Sequence, residues 1–135
     1  MENCRYCNRT TDIVKIVTDL EVSTLYITRD QAYRGRCILA LKEHKTEFFQ
    51  LDADETAAFG RDMAKASKAI YDAFKPDKIN YAAFGDTYPH LHFHLVPKYK
   101  GGKSWGGPFE LASDPNGSLP EEELAGLIKT IREKL

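Results

Sequence analysis

The chain has 135 residues, 42% of them hydrophobic and 29% charged, and its 19 basic side chains nearly balance its 20 acidic ones. This length can bury a core without disulfides, so we expect a single domain spanning residues 1–135. The balanced charge excludes a strong positive field for a nucleic-acid polymer, and no apolar run approaches the roughly 18 residues that span a membrane.

The N-terminus carries two of the three cysteines, spaced as Cys4-x-x-Cys7 ahead of any predicted strand. It lacks the basic and apolar regions of a secretory signal, which favours the cytoplasm, where a disulfide framework is not expected. The pair is then a metal half-site or a redox motif. A redox motif opens a helix after a strand, and no strand comes first here, so the metal interpretation is favoured. The third cysteine, Cys37, is expected to be buried and alone.

Three strands are predicted next, because runs rich in β-branched and aromatic residues alternate with short polar segments. Their ranges are 13–18, 22–28 and 36–42. The first two form a hairpin, and the loop before the third contains Asp30 and Gly35. The third strand delivers His44 just beyond its end.

A long helix is predicted from Asp52, with Glu55 three residues later, and it ends before Pro76. Its apolar positions recur at steps of three and four: Phe59, Met63, Ala66, Ile70 and Ala73. A last helix is expected after Ser118 and Glu121, which form another capping signature. Its apolar stripe consists of Leu124, Leu127, Ile128, Ile131 and Leu135.

Between these helices the sequence predicts a fourth strand over 79–84, a turn over 85–89 and a fifth strand that carries the histidines. Residues 101–107, which include Trp105, have the glycine content of a mobile loop. Short adjacent strands with segregated helices indicate an α+β fold. We therefore expect a five-stranded antiparallel sheet with one long helix and a C-terminal helix.

Three of the four histidines occupy alternate positions of the fifth strand: His90, His92 and His94. Side chains alternate between the faces of a strand, so these imidazoles share one face, and Leu91, Phe93 and Leu95 share the other. Three adjacent imidazoles make a poor core because six ring nitrogens need partners. Two chemical interpretations remain: a three-histidine metal centre that activates water, or a neutral imidazole that attacks phosphorus.

The histidine strand reads His-φ-His-φ-His-φ-φ, where φ is apolar, and it resembles the signature of the histidine-triad superfamily. Other features agree with this resemblance: Gly35 before the third strand, the Lys42-x-His44 segment at its end, and the Cys-x-x-Cys pair. The similarity extends from the first cysteine to about Pro108 and is greatest to bacterial zinc-bearing members. It implies a HIT-like fold.

The resemblance implies a nucleotide hydrolase or nucleotidyl transferase acting on a phosphoryl group joined to a nucleoside, typically adenosine. The middle histidine of the family's triad is the nucleophile, which assigns a covalent nucleotidyl intermediate to His92. His94 would hold a phosphate oxygen through a charge-assisted hydrogen bond, and Thr87 and Asn80 would lie near the phosphate or leaving group. Dinucleoside polyphosphates and nucleoside phosphoramidates are the first substrates to test.

In zinc-bearing relatives, the cysteine pair is completed by the Lys-x-His histidine and the first histidine of the triad. The resemblance therefore implies a structural zinc ion bound by Cys4, Cys7, His44 and His90. Such a site would orient the strand that bears His92. Family members usually form homodimers on the long-helix side, although the apolar residues of this helix would equally pack against the protomer's own sheet.

Four further residues bear on the ligand. Arg36 stands where relatives often have a histidine, and it cannot relay a proton but can bind phosphate or a carboxylate. Asp30 is the candidate for an acidic residue that binds ribose hydroxyls, at a shorter spacing than in relatives. Asp86 replaces an amide and would repel phosphate, so we expect it to orient His92 or to point away. Trp105 either covers the core or stacks on a base or a second substrate moiety.

Two alternatives to the nucleotide hydrolase stay open. In the first, the three triad histidines together ligate one catalytic metal ion. In the second, the chain is a nucleotide-binding regulatory protein with little turnover. The predicted partner is a small-molecule nucleotide, with no nucleic-acid polymer and no membrane.

Overall fold

A computed structural model describes residues 3–9 and 12–135, and its centre is one antiparallel sheet. The strands are β1 (Val14–Asp19), β2 (Ser23–Thr28), β3 (Cys37–Leu41), β4 (Lys78–Ala82) and β5 (His92–Lys98). Their order in the sheet is β1-β2-β3-β5-β4, so the histidine-bearing strand lies between β3 and the edge strand β4. The helices are α1 (Arg5–Asn8), α2 (Ala53–Phe74) and α3 (Glu121–Arg132). The predicted α+β fold is confirmed.

The two faces of the sheet carry different cores because side chains alternate along each strand. Helices α2 and α3 cover one face, where the main core collects Leu25, Leu39, Leu41, Leu95 and Ile131. The other face carries a small cluster of Tyr6, Val14, Tyr26, Ile38 and Ala40. This second face is the one that presents the imidazoles, and α1 packs on it through Tyr6.

Helix α2 begins and ends as predicted. The Asp52 carboxylate accepts a hydrogen bond from the Glu55 amide at 2.8 Å, and the chain turns left-handed at Lys75 just before Pro76. Its residues Phe59, Ala66 and Ile70 are buried in the protomer's own core, with Met63 packed against them. The apolar stripe of α2 is therefore used within the chain.

Asp62 on α2 ties this helix to the β1–β2 turn. Its buried carboxylate accepts hydrogen bonds from the amides of Glu21 at 3.1 Å and Val22 at 2.9 Å, and from the Ser23 hydroxyl at 2.6 Å. The neighbouring Arg61 contacts the same turn through an exposed ion pair with Glu21 at 2.9 Å. One turn of helix thus fixes the hairpin by two different kinds of interaction.

Gly35 is required where the chain enters β3. Its φ angle is +93°, and a Cβ atom there would lie 2.6 Å from Cδ2 of Phe74 and 3.1 Å from Cγ of Pro97. Both the left-handed backbone and the close packing exclude a larger residue. The loop before β3 is therefore anchored to the end of α2.

Two local predictions need correction, and one short helix was missed. His90 lies outside the fifth strand, which begins at His92. The capping signature at Ser118 is wrong: α3 begins at Glu121 after Pro120, and Ser118 instead forms an isolated bridge with Asp30. Helix α1 was not predicted, since four residues are too few to show a periodic pattern. Within the ranges 3–9 and 12–135, no helix is both long enough and apolar enough to cross a membrane.

Candidate functional site

The three triad histidines do lie on one side of the sheet, although only two belong to β5. His92 pairs with Ala40 and His94 with Ile38 on the neighbouring strand, and the His92 and His94 rings are 5.5 Å apart between centroids. His90 precedes the strand, yet its ring still meets Tyr6, at 5.6 Å between centroids. The shared face predicted from alternate spacing is therefore present.

The first histidine of the triad is separated from the other two by its partners. Nδ1 of His90 lies 3.2 Å from Sγ of Cys4, 3.5 Å from Sγ of Cys7 and 3.1 Å from Nδ1 of His44. Sγ of Cys7 is also 3.2 Å from Nδ1 of His44. Among the described residues, these four form the only group of three or more metal-ligating side chains that converge, all within 4.8 Å of one another.

The spacing and chemistry of this cluster fit a tetrahedral metal ion. Zinc bonds of about 2.3 Å to sulfur and about 2.0 Å to nitrogen would put neighbouring ligand atoms about 3.3–3.8 Å apart, close to the observed distances. Nε2 of His90 donates to the Leu41 carbonyl at 2.6 Å, which leaves its Nδ1 unprotonated for a metal. Burial and the adjacent Cys4 sulfur raise the pKa of Cys7, so paired thiolates here need a cation.

His92 is fixed in one tautomer by the main chain. Its Nδ1–H donates to the carbonyl oxygen of His90 at 2.6 Å, which leaves the lone pair on Nε2. Tyr6 packs on the ring at 4.7 Å between centroids. Burial lowers the pKa of His92, with a smaller contribution in the same direction from the charge of Arg5, so the ring is neutral near pH 7. A neutral, oriented imidazole is the form that can act as a nucleophile.

His94 is also neutral, which changes the expected character of its contact with phosphate. Burial, followed by the nearby His92 and Arg36, lowers its pKa to about 4. Its buried Nδ1 has no hydrogen-bond partner among the described residues. In the free protein, a hydrogen bond from His94 to phosphate would therefore come from a neutral ring, and its charge assistance would come from the phosphate anion alone.

A cavity of about 360 Å³ lies over these two rings. Its lining includes His92 and His94, the predicted residues Asp30, Asp86 and Thr87, and the apolar side chains of Ile38 and Leu111. The turn before β5 forms one wall, and the end of β2 forms another. A pocket of this size, with a few polar groups among apolar walls, is typical of a small-molecule site.

Arg36 and Asp30 belong to this cavity but are already engaged with the protein. Arg36 is 4% exposed and donates to the carbonyls of Glu110 at 3.3 Å and Leu111 at 3.1 Å, while its Nε has no partner in the described chain. The Asp30 carboxylate accepts from the amides of Ala32 at 2.9 Å and Asp114 at 2.7 Å. Both side chains therefore fix the segment around residue 110 across the site.

Two of the residues expected at the nucleotide lie elsewhere. Asn80 is on β4, where it pairs with Val96 and lines a separate cavity on the edge strand. Trp105 is 42% exposed in the glycine-rich loop. Neither is part of the described lining of the His92 cavity. Asp86 lines that cavity, but the hydrogen bond that orients His92 is accepted by the His90 carbonyl and not by Asp86.

The sequence did not single out Arg5, Tyr6 and Tyr88, which form the wall between the cysteine pair and the cavity. The Arg5 guanidinium carbon lies 3.9 Å from the centroid of the Tyr88 ring. The sequence did contain a signal for Arg5 and Tyr6. They lie between Cys4 and Cys7, so a metal site that brings the cysteines to the first histidine of the triad also brings these two residues near it. No pattern marked Tyr88.

A family model described as HIT domain matches residues 11–101. A segment of 77 residues is 30% identical to an uncharacterized HIT-like protein of Mycoplasma genitalium, covering 53% of this chain and 55% of that protein. The chain thus matches little more than half the length of this curated relative.

Solved structures share the fold along nearly the whole chain. A histidine triad protein of Bradyrhizobium japonicum superposes with a TM-score of 0.82 at 25% identity, covering 91% of each chain. A Zn-bound histidine triad family protein of Mycobacterium smegmatis superposes with a TM-score of 0.70 at 17% identity, covering 98% of this chain and 95% of that one. The second likeness concerns the fold alone.

Proposed function

The chain belongs to the HIT domain family, and from this premise we propose that it binds a phosphoryl-linked nucleoside and hydrolyses it through a covalent intermediate on His92. One observation carries the proposal. The His92 ring lines the cavity in a neutral state, with its Nδ1–H donated to the His90 carbonyl and its Nε2 left to react. A dinucleoside polyphosphate or a nucleoside phosphoramidate is the class of substrate.

The reaction has two steps. In the first, the Nε2 lone pair of His92 attacks phosphorus, an N–P bond forms, and the bond to the leaving group breaks with its electron pair on the departing atom. The positive charge that develops on the ring is stabilised by the His90 carbonyl at Nδ1–H. In the second step, water attacks the same phosphorus and loses a proton to the solvent, the N–P bond breaks with its electron pair returning to Nε2 of His92, and a nucleoside monophosphate leaves.

Groups around the cavity hold the phosphoryl oxygens during both steps. His94 lies beside His92 and would donate one hydrogen bond, and the Thr87 hydroxyl on the turn would donate another. The Asp30 carboxylate can accept further hydrogen bonds beyond those from two amides, and it would accept them from the ribose hydroxyls. The apolar Ile38 and Leu111 would contact the base, adenine being the base to test first.

Cys4, Cys7, His44 and His90 would hold a zinc ion. Bound there, zinc would neutralise the paired thiolates and cross-link the N-terminus to the segment that precedes β5. Its role is structural, because all four positions of a tetrahedral ion are taken by protein ligands. His90 then contributes its ring to this site and its carbonyl to His92.

The test of the mechanism is His92→Ala. We expect turnover of dinucleoside polyphosphate and phosphoramidate to disappear while nucleoside monophosphate still binds, measured by product chromatography and calorimetry. The melting temperature and zinc content of the variant show whether the fold is preserved. Turnover comparable to the wild type in this variant would exclude the intermediate.

The test of the metal site is elemental analysis of protein purified without chelators. We expect about one equivalent of zinc in the wild type and loss of the metal in Cys4→Ser. Cys37→Ser is the matched control, because this thiol is buried in the core away from the cluster. Less than half an equivalent in the wild type would contradict the site.

The two alternatives are separated by the same variants. A three-histidine catalytic metal centre requires metal loss in His92→Ala, whereas the converging cluster leaves His92 and His94 out. A regulatory nucleotide-binding protein would bind nucleotides at micromolar concentration without useful turnover of any conjugate. Homodimer formation stays a prediction, tested by light scattering, as does a cytoplasmic location.

A further inference from the structure

The two residues between the paired cysteines reach the catalytic cavity. Helix α1 places Tyr6 against the His92 ring and Arg5 over Tyr88, and both line the cavity together with His92 and His94. The short helix α1 therefore positions the Arg5 guanidinium, a cation, in the wall of the cavity.

The charge of Arg5 has no counterion within the described part of the chain. Among residues 3–9 and 12–135, no hydrogen bond or ion pair to its guanidinium is formed, whereas Arg9, Arg29 and Arg61 each pair with a carboxylate. Stacking on Tyr88 uses the flat face of the guanidinium and leaves its N–H groups, which lie in the plane of the group, open to a ligand. Arg36, the other arginine of the cavity, is instead engaged by two main-chain carbonyls.

Arg5 also borders a second space beside the catalytic cavity. Arg5, Tyr6, Thr87 and Tyr88 line both cavities. His92 and His94 line only the first, and the candidate zinc ligands Cys4, His44 and His90 line only the second. A substrate that extends from the attacked phosphorus toward the second cavity would pass along the Arg5 side chain. Asp86 lines only the first cavity.

From this placement we infer that Arg5 binds phosphate groups of the leaving portion of the substrate, so that the protein prefers nucleotide conjugates whose leaving group is itself phosphorylated. The inference rests on the proposed function. When His92 forms the N–P bond, the bridging P–O bond breaks and its electron pair stays on the departing phosphate, and the guanidinium stabilises this negative charge.

Leaving-group chemistry supports the same preference. A departing phosphate is an anion that needs no proton near pH 7, because its second pKa is about 6. A departing amine needs a proton from an acid, and His94, with a pKa of about 4, is unprotonated at that pH. The site is therefore better equipped to stabilise an anion than to protonate an amine.

The experiment compares two substrates with the same adenylyl group, a diadenosine polyphosphate and adenosine phosphoramidate. We expect Arg5→Ala to lower kcat/KM for the polyphosphate by about 10- to 100-fold, the range for one lost charged hydrogen bond, and to change the phosphoramidate by less than about threefold. Arg5→Lys, which keeps the charge without the planar donor pair, should fall between. Arg9→Ala is the matched control, since its side chain pairs with Asp19 outside the cavity.

Nucleotide binding measured in the His92→Ala variant separates an effect on affinity from an effect on the reaction rate. In this variant, adding Arg5→Ala should weaken the binding of diadenosine polyphosphate and leave the binding of adenosine monophosphate unchanged. Zinc content and melting temperature should be preserved. Equal losses on both substrates, or no loss on the polyphosphate, would overturn the role of Arg5 while the proposed function stands. Absence of both binding and turnover of any nucleotide in the wild type would overturn the proposed function, and this inference with it.

Discussion

Replacing Asp62 by alanine should destabilise the protein by about 3–4 kcal/mol. The carboxylate is 3% exposed, and its loss leaves the fully buried Ser23 hydroxyl and the Val22 amide without an acceptor. Each buried unsatisfied donor costs about 1–3 kcal/mol. The Glu21 amide adds little, because Glu21 lies at an exposed turn where water can replace the carboxylate.

The neighbouring Arg61 provides the matched control for this prediction. Its ion pair with Glu21 joins the same helix to the same turn, but both side chains are more than half exposed, at 61% and 53%. Exposed pairs contribute about 0–1 kcal/mol, so Arg61→Ala should be nearly neutral. Urea unfolding of both variants measures the difference. A loss below about 1.5 kcal/mol for Asp62→Ala, or a larger loss for Arg61→Ala, would refute this reasoning.

Three further predictions concern residues nearer to the site. Tyr6→Ala should lower the free energy of unfolding by about 3 kcal/mol and also lower kcat, because the Tyr6 ring packs on His92. Tyr6→Phe keeps this contact and should change neither quantity much. Calorimetry measures the stability of each variant, and steady-state kinetics measures kcat. Gly35→Ala should destabilise by more than about 1 kcal/mol, since φ is positive and Phe74 occupies the space, and a neutral result in urea unfolding would contradict the clash. Because burial lowers the pKa of His94 from 6.5 to about 4, the unfolded chain binds a proton that the folded chain does not. Stability should therefore fall by up to about 3 kcal/mol as the pH drops from 6.5 to 4, and less steeply in His94→Gln, as measured by urea unfolding at each pH.

The fold could be predicted where a repeating pattern of apolar residues indicated which side of an element packs against the core. The alternation from Leu91 to Leu95 and the three- and four-residue steps from Phe59 to Ile70 both report which side meets the core, and these elements are present. The capping signature at Ser118 failed because the main chain there forms an isolated β-bridge with Asp30, which is far away in sequence, and the helix begins only after Pro120.

The site could be predicted only in part because some of its geometry depends on distant segments. The cysteine pair by itself suggested a metal half-site, and the resemblance to the histidine-triad family supplied the two histidine ligands that converge on it. In contrast, the amide of Asp114 that engages Asp30 comes from a loop with no pattern of its own. The register that puts Asn80 opposite Val96, away from the His92 cavity, is likewise set by strand pairing and is not written in local sequence.

His90 serves its two neighbours with different parts of one residue: the ring faces the cysteines, and the carbonyl accepts from His92. Every amino acid has a carbonyl, so no substitution at this position can delete the group that orients His92, the proposed nucleophile. Removing the ring would take one ligand from the candidate zinc site and let the backbone at residues 89–91 shift, while His92 would keep its acceptor at a poorer angle. Changes at position 90 should therefore tune the reaction rate gradually, whereas changes at position 92 switch the reaction off.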